Sequence, residues 1–512
     1  MRLDELAAVS RGVAETRARL SKIDRLAAFL RRLRPDEVPV AVAYLSGVLP
    51  QGTIGVGWAT LRDLPPAAPP PPTLELLEAH AALDRIRDAT GPGSQGRRRE
   101  AVAALFGRAT DGERTFLAGL LMGELRQGAL AGVMVEAVAR AAQIPATEIR
   151  RALMLAGDLG SVAAAALDKG RAGLLRFRLA VGRPVQPMLA QSAADLEEAL
   201  ERVPRASVEW KIDGARIQAH KLGDEVRIFT RNLADITGRV PDLVDTLRAA
   251  RVEDGIFDGE AIALRSDERP QPFQVTMSRF GSRLEVERMR RSVPLSVFLF
   301  DCLHAGGDDL IDHPAAERWA CLVEVGGELV PRDLAVRLDS TRRFMTGALE
   351  RGHEGVMVKA LDAPYEAGRR GASWLKVKRA HTLDLVVLAA EWGHGRRRGW
   401  LSNLHLGARD SSAGTFVMLG KTFKGMTDGL LAWQTTRLLE LETHRSGITV
   451  YVRPELVVEV AFDGLQQSPR YPGGLALRFA RIKGYRLDRG PLDADTIDAV
   501  RALAVEPRPS QS

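Results

Sequence analysis

Lys211 is the residue whose type and setting first suggest chemistry. It stands in the run Val208-Glu209-Trp210-Lys211-Ile212-Asp213-Gly214-Ala215-Arg216, where Val208 and Trp210 alternate with Glu209 and Lys211. Such alternation reads as a strand with one apolar and one charged face, so Glu209 and Lys211 project together. A lysine held in a pocket among other cations has its ammonium form disfavoured, which frees the neutral amine as a nucleophile. Further charged groups stand at the ends of separate strand-like runs: Arg216, Arg231, Glu260, Glu354, Lys376 and Lys378. Lysines and arginines suit triphosphate oxygens, while the separated carboxylates Glu260 and Glu354 can hold a divalent cation between protein and phosphate. Phe300 offers a face on which a purine could stack. Each residue alone has a plainer reading: Lys211 in an ordinary hairpin, Phe300 as core, Glu260 as a surface acid. Their joint appearance, in this order, carries the inference.

These residues need strands to hold them. Asp213-Gly214 is a turn signal, after which Ala215, Ile217 and Ala219 alternate with Arg216, Gln218 and His220. Gly255 to Ile262 forms another candidate strand, and Pro294 to Asp301 is apolar enough to be buried on both faces. The run from Glu354 to Lys359 places Glu354, Val356 and Val358 on one face, and Trp374 to Lys378 puts both lysines on one side. The chain before this region reads as helical, with Ile23, Leu26, Leu30 and Leu33, and later Phe116, Leu120, Leu121 and Leu125, at helical spacing. A proline-rich break from Leu64 to Pro72 interrupts it. Gly123-Glu124-Leu125-Arg126-Gln127-Gly128 and Ala156-Gly157-Asp158-Leu159-Gly160 put small residues at helix ends, suited either to a phosphate or to plain capping. The basic run Arg97-Arg98-Arg99 is a solvated helix start or a DNA contact, the former slightly favoured. Strands return at Leu383 to Ala390, Thr415 to Leu419 and Leu456 to Phe462, with a helix around Leu430 to Leu441, a pattern that fits a small barrel.

The bulk properties narrow the class. A chain of 512 residues is too long for one core. No apolar run can span a membrane, and Met1 to Leu20 lacks the apolar centre of a signal peptide, so a cytoplasmic protein is expected. Cys302 and Cys321 are the two cysteines, too few for a four-cysteine zinc site. The formal net charge of +7 suits a polyanionic partner.

Taken in order, the runs resemble the nucleotidyltransferase motifs of ATP-dependent DNA ligases. Glu209 to Gly214 is similar to the adenylated-lysine motif, Thr230-Arg231-Asn232 to the arginine motif after it, and Asp258-Gly259-Glu260 to the third. Phe298 to Asp301 resembles the aromatic motif, Glu354 to Lys359 the fourth and Trp374 to Lys378 the fifth. Gln186 to Ala190 is similar to the entry into this domain. The resemblance implies a multidomain protein: an all-α DNA-binding domain over 1–180, an α+β nucleotidyltransferase (adenylation) domain over 181–379, and a C-terminal OB-fold β-barrel over 380–512. It implies ATP and Mg2+, or another divalent cation, as cofactors and nicked double-stranded DNA as partner, for a protein working as a monomer. By the same resemblance Lys211 attacks the α-phosphate of ATP, and Glu209 helps to recognise adenine. Arg216 and Arg231 hold ribose and phosphate, Glu260 the ribose hydroxyls, and Phe300 stacks on the base. Lys376 and Lys378 meet the α-phosphate, with Glu260 and Glu354 as the acids for a metal. Arg486 orients the pyrophosphate. Two positions depart from the family pattern. Arg486-Leu487-Asp488-Arg489 ends in arginine where lysine is usual, and Ala372 stands where many relatives have a basic residue, with Arg369 or Arg370 near enough to substitute. An NAD-dependent ligase would need the cysteines this chain lacks. An RNA ligase or capping enzyme does not account for the helical first third, and a non-catalytic DNA-binding scaffold does not account for the intact lysine and acids.

Overall fold

The computed structural model describes residues 1–504 except 17, 63, 126–130, 282–284, 335, 367–369, 379 and 380. Its contacts divide into two compact units, Met1–Val377 and Lys378–Ser512.

The first unit opens with helices, from Leu3–Glu15 to Leu159–Leu174, around one apolar core that includes Leu6, Leu26, Leu30, Phe106, Phe116, Leu120 and Val138. The spaced leucines of the sequence are the residues that close it. Within the Gly123 to Gly128 run, Arg126, Gln127 and Gly128 lie outside the described residues. At the second glycine-bearing turn capping accounts for the residues. Gly157 ends the helix Ala146–Ala156 at φ +73°, and the Asp158 carboxylate accepts the Gly160 and Ser161 N–H groups to start the next. Arg97 likewise turns its guanidinium onto the Thr90 and Pro92 carbonyls at the start of Ser94–Arg108.

Two five-stranded sheets follow. In the first, Ala206–Lys211 lies between Gly355–Ala360 and the two-residue strand Arg332–Asp333, with Arg370–Lys378 and Leu189–Ser192 beyond. The second runs Glu225–Thr230, Ala215–Leu222, Asp254–Ala263, Leu295–Ala305, Asp308–Asp309. Asp213-Gly214 therefore does not close a hairpin: the strands on its two sides belong to different sheets. Gly214 is required because a Cβ there would sit 2.5 Å from the Ala261 carbonyl oxygen. The apolar run near Leu295 also differs from expectation. Leu295, Val297 and Leu299 are buried, whereas Ser296, Phe298 and Phe300 are only half-buried, so its second face is left partly open. The helical region docks here through Met154 and Leu155, which pack with Val185, Met188, Ile256, Leu303, Ile311 and Tyr365. A two-pronged Arg151–Asp312 ion pair, at 2.5 and 2.6 Å, adds to that contact.

The second unit is a curled, seven-stranded antiparallel sheet. His381–Trp392 pairs on one edge with Leu401–Asp410 and on the other with both Val457–Phe462 and Thr449–Val452. Leu385, Val387, Leu404, Leu406, Leu419, Val458 and Val460 fill its interior, closed by the helix Asp428–Glu440. Among the described residues no helix is long and apolar enough to cross a membrane.

Candidate active site

Lys211 ends its strand where the chain crosses between the sheets. Its backbone carbonyl accepts the Glu354 N–H at 3.1 Å, and its Nζ forms an ion pair with Glu354 Oε2. Glu354 immediately precedes Gly355–Ala360, whose Gly355 is the register partner of Lys211. Glu260 enters from the second sheet, cross-strand from both Arg216 and Phe298. Three sequence-distant groups therefore meet at the seam of two sheets.

Electrostatics here differ from the expected cationic pocket. Burial works to lower the Lys211 ammonium, but Glu354, Glu260 and Asp213 outweigh it, and the net direction is upward. Burial pushes the Glu260 carboxyl up to about 7 against the pull of Lys211 and Arg216, with Glu354 and Asp213 adding to the rise. The amine is therefore favoured as ammonium by three acids rather than freed by cations. The close spacing of Glu354 and Glu260, each perturbing the same lysine, fits a divalent cation that would neutralise both. No third acid, histidine or cysteine completes a cluster among the described residues, so phosphate oxygens and water would supply the remaining ligands.

Behind the lysine lies a buried charge pair. Glu209, 3 % exposed at its side chain, meets Lys359 Nζ at 2.5 Å and Arg332 Nε at 3.6 Å. Burial raises the Glu209 carboxyl, and Lys359 opposes that rise most strongly. Lys359 Nζ also donates to the Phe300 carbonyl at 3.2 Å and lies 4.6 Å from the Phe300 ring centre and 4.4 Å from that of Trp374. Phe300 is thus half-buried beside cations, its ring edge-on to Trp374.

Arg216 is tied down on the other side. Its guanidinium donates to the Met188 carbonyl at 2.6 Å, to Asp258 Oδ2 at 2.7 Å and to the Tyr365 hydroxyl at 3.1 Å. Tyr365 itself donates to Asp258 Oδ2 at 2.5 Å. Burial opposes the charge, yet Asp258 and Tyr365 more than offset it and raise the guanidinium's pKa. This anchoring holds the Arg216 plane 5.4 Å from the Phe300 ring centre.

The remaining candidates lie on other elements. Arg231 is exposed in the turn after Glu225–Thr230. Lys376 sits in Arg370–Lys378 opposite Ser192, with its neighbours Leu375 and Val377 buried. Lys378 begins the second unit and pairs with Asp463 at 3.3 Å. Ala372 is exposed; Arg369 lies outside the described residues, as does the side chain of Arg370. In the second unit Arg486 binds both oxygens of Asp488, at 3.0 and 2.8 Å, and reaches buried Asp384 at 3.2 Å. Arg489 approaches the same Asp384 oxygen at 2.5 Å.

Sequence reasoning missed Lys359, Arg332 and Tyr365 as partners. The alternation that set Val356 and Val358 inward already placed Lys359 on the opposite face, so that signal existed. Arg332 and Tyr365 carry none: one lies in a two-residue strand, the other in a loop.

A lysine among acids thus stands at the junction of two five-stranded sheets, beside aromatic and cationic side chains, a setting suited to a phosphorylated ligand. The family model for the ATP dependent DNA ligase domain matches residues 187–378, that for the ATP dependent DNA ligase C terminal region 397–489, and that for the DNA ligase N terminus 62–139. A "Probable DNA ligase" of Anaeromyxobacter dehalogenans is 62% identical over 510 residues, covering 98% of this chain and 99% of that one. Another "Probable DNA ligase", from Sorangium cellulosum, is 55% identical over 507 residues, covering 98% and 95%. The solved structure titled Pmar-Lig_PreS3 superposes with a TM-score of 0.64 over 94% of this chain and 99% of its own, at 18% identity, a likeness of fold alone. The chain belongs to the ATP-dependent DNA ligases.

Proposed function

We propose that this enzyme seals nicks in duplex DNA through a lysyl-AMP intermediate on Lys211 and a 5′-adenylated DNA intermediate. The observation that carries the reading is the convergence of Lys211, Glu354 and Glu260 at one seam, with Glu209, Lys359 and Phe300 behind them. Lys211 Nζ attacks the α-phosphate of ATP, its proton passing to the Glu354 oxygen it already touches, and pyrophosphate leaves. AMP then moves to the 5′-phosphate of the nick, and the 3′-hydroxyl displaces it. Each step is an in-line displacement at phosphorus, so positioning and charge neutralisation dominate the catalysis.

In this reading Glu209, paired with Lys359 and Arg332, accepts the adenine amino group, and Phe300 stacks on the ring. Arg216, immobilised by Asp258 and Tyr365, and Arg231 hold ribose and phosphate oxygens, while Glu260 holds ribose hydroxyls. Lys376 and Lys378 serve the α-phosphate and Arg486 the leaving pyrophosphate. Mg2+ or a similar cation, where bound, would neutralise phosphate charge, held by Glu260 and Glu354. Residues 1–180 grip DNA, 181–379 carry the transfer chemistry, and 380–512 form the OB-fold domain of a cytoplasmic monomer. Incubating the protein separately with labelled ATP, GTP and NAD tests the reading. Covalent label from ATP alone is expected, and label from NAD instead would refute it.

A further inference from the structure

The two cysteines, 19 residues apart in sequence, meet in space. Cys302 is buried in Leu295–Ala305, next to the Asp301 that follows Phe300, and Cys321 is partly exposed on the helix Ala315–Val325. Their sulfurs are 3.9 Å apart, in contact without a bond. A disulfide requires them to close to about 2 Å, a shift of roughly 2 Å shared by two side chains. The thiols are also unlike one another. The hydrogen bond from Cys302 draws Cys321 down to about 7, while that bond and burial push Cys302 upward. The more exposed sulfur is therefore the one favoured as thiolate, as attack on an oxidant demands.

The helix bearing Cys321 is wired into the site. Arg318, fully buried, clamps both oxygens of Asp301 at 2.7 and 3.0 Å. One residue on, the Trp319 ring lies 4.2 Å from the Arg332 guanidinium, and Arg332 in turn reaches Glu209. Closing the sulfurs pulls this helix against the Phe300 strand and moves the Trp319–Arg332–Glu209 line with it.

We propose that Cys302 and Cys321 form a reversible oxidation site for hydroperoxides, and that the disulfide formed there slows transfer of AMP to Lys211. The Cys321 thiolate attacks the peroxide O–O bond, giving a sulfenic acid and releasing hydroxide, or alkoxide from an organic peroxide. The Cys302 thiol then attacks the sulfenic sulfur, forming the S–S bond and expelling water. Two thiols lose two electrons and the peroxide gains them. The coupling to activity rests on reading Glu209 as an adenine contact; the cross-link itself does not.

The full chain is exposed to hydrogen peroxide, quenched with an alkylating agent and mapped by mass spectrometry, and its uptake of label from ATP is measured before oxidation, after it, and after dithiothreitol. Expected are a Cys302–Cys321 cross-link and a KM for ATP raised at least threefold, both reversed by the reductant. Cys321→Ser and Cys321→Ala should melt near the wild type, take label normally and ignore peroxide. Sulfinic acid at Cys321 without a cross-link overturns the oxidation site, and a cross-link that leaves labelling unchanged overturns the coupling. Reduced wild type that takes no label refutes the adenylation reading and the coupling with it, while the cross-link mass still decides the cysteine pair.

Discussion

Replacing Lys359 with methionine tests whether the charge pair behind Lys211 carries both stability and nucleotide recognition. Lys359 Nζ lies 2.5 Å from Glu209, and both side chains are at most 5 % exposed. Removing one partner of a buried pair strands the other charge, at a cost of about 3–5 kcal/mol. Arg332 remains 3.6 Å from the other Glu209 oxygen and offsets part of that, which favours the low end of the range. At about 2–4 °C per kcal/mol for a domain of roughly 200 residues, the melting temperature should fall by about 6–12 °C. Lys359 is the main influence opposing the burial-driven rise of the Glu209 carboxyl, so its loss pushes that carboxyl further up and weakens it as an acceptor. Calorimetry together with ATP-labelling kinetics reads both effects. In Glu209→Gln/Lys359→Met only part of the stability should return, because buried Arg332 then loses its carboxylate, and ATP affinity should not return. A single variant melting within 2 °C of the wild type would refute the reasoning, as would a double-mutant cycle coupling below about 0.5 kcal/mol.

Lys211→Ala should abolish covalent labelling by ATP while the protein still binds nicked DNA, and label surviving on the purified variant would remove Lys211 as nucleophile. Arg486→Ala should slow lysyl-AMP formation at least tenfold yet spare sealing of a nick supplied already adenylated; equal loss of both steps together with stability would mean that Arg486 only braces its domain. Burial works against Glu391, but hydrogen bonds from Lys421, Asn403 and His405 prevail and hold its carboxyl at about 2. The stabilisation is therefore complete above the unfolded value near 4.5 and disappears as pH falls towards 2; allowing for water at this partly exposed cluster it is about 1–2 kcal/mol, and Glu391→Gln should flatten an acid melting series over that window. A chain beginning at Arg183 should self-adenylate but seal dilute nicks poorly, and it should melt lower because Met154 and Leu155 no longer cover Ile256, Leu303 and Ile311; sealing at the full-length rate would contradict a DNA-gripping role for the helices.

How much of this was legible depends on where the information lies. Val208, Trp210, Val356 and Val358 alternate with charged neighbours, and such local periodicity survives folding because one face of each strand must be buried. The same logic located the helix Asp428–Glu440 and the long strand His381–Trp392 to within a few residues. It could not tell that Asp213-Gly214 changes sheets, because a turn residue reports local geometry and not the next strand's partner. Nor could it find acids around Lys211 where cations were expected. Glu354 lies 143 positions away from it, and what the amine feels is set by pairing between strands. The half-open face of Leu295–Ala305 was misread for a related reason: Phe298 and Phe300 are apolar, but they only flank a small core cluster and stay half-buried.

Asp384 accepts two guanidinium groups on one oxygen, from Arg486 and from Arg489. The carboxylate is almost fully buried, so it cannot easily be left without a cation. With a single partner, any excursion of that arginine would carry the full penalty of uncovering the acid. With two, Arg489 would remain on the acid as a stand-in if Arg486 swung away. In the proposed reading, the arginine that ends this motif in place of the usual lysine is an understudy: it would let Arg486 leave its seat without baring the acid.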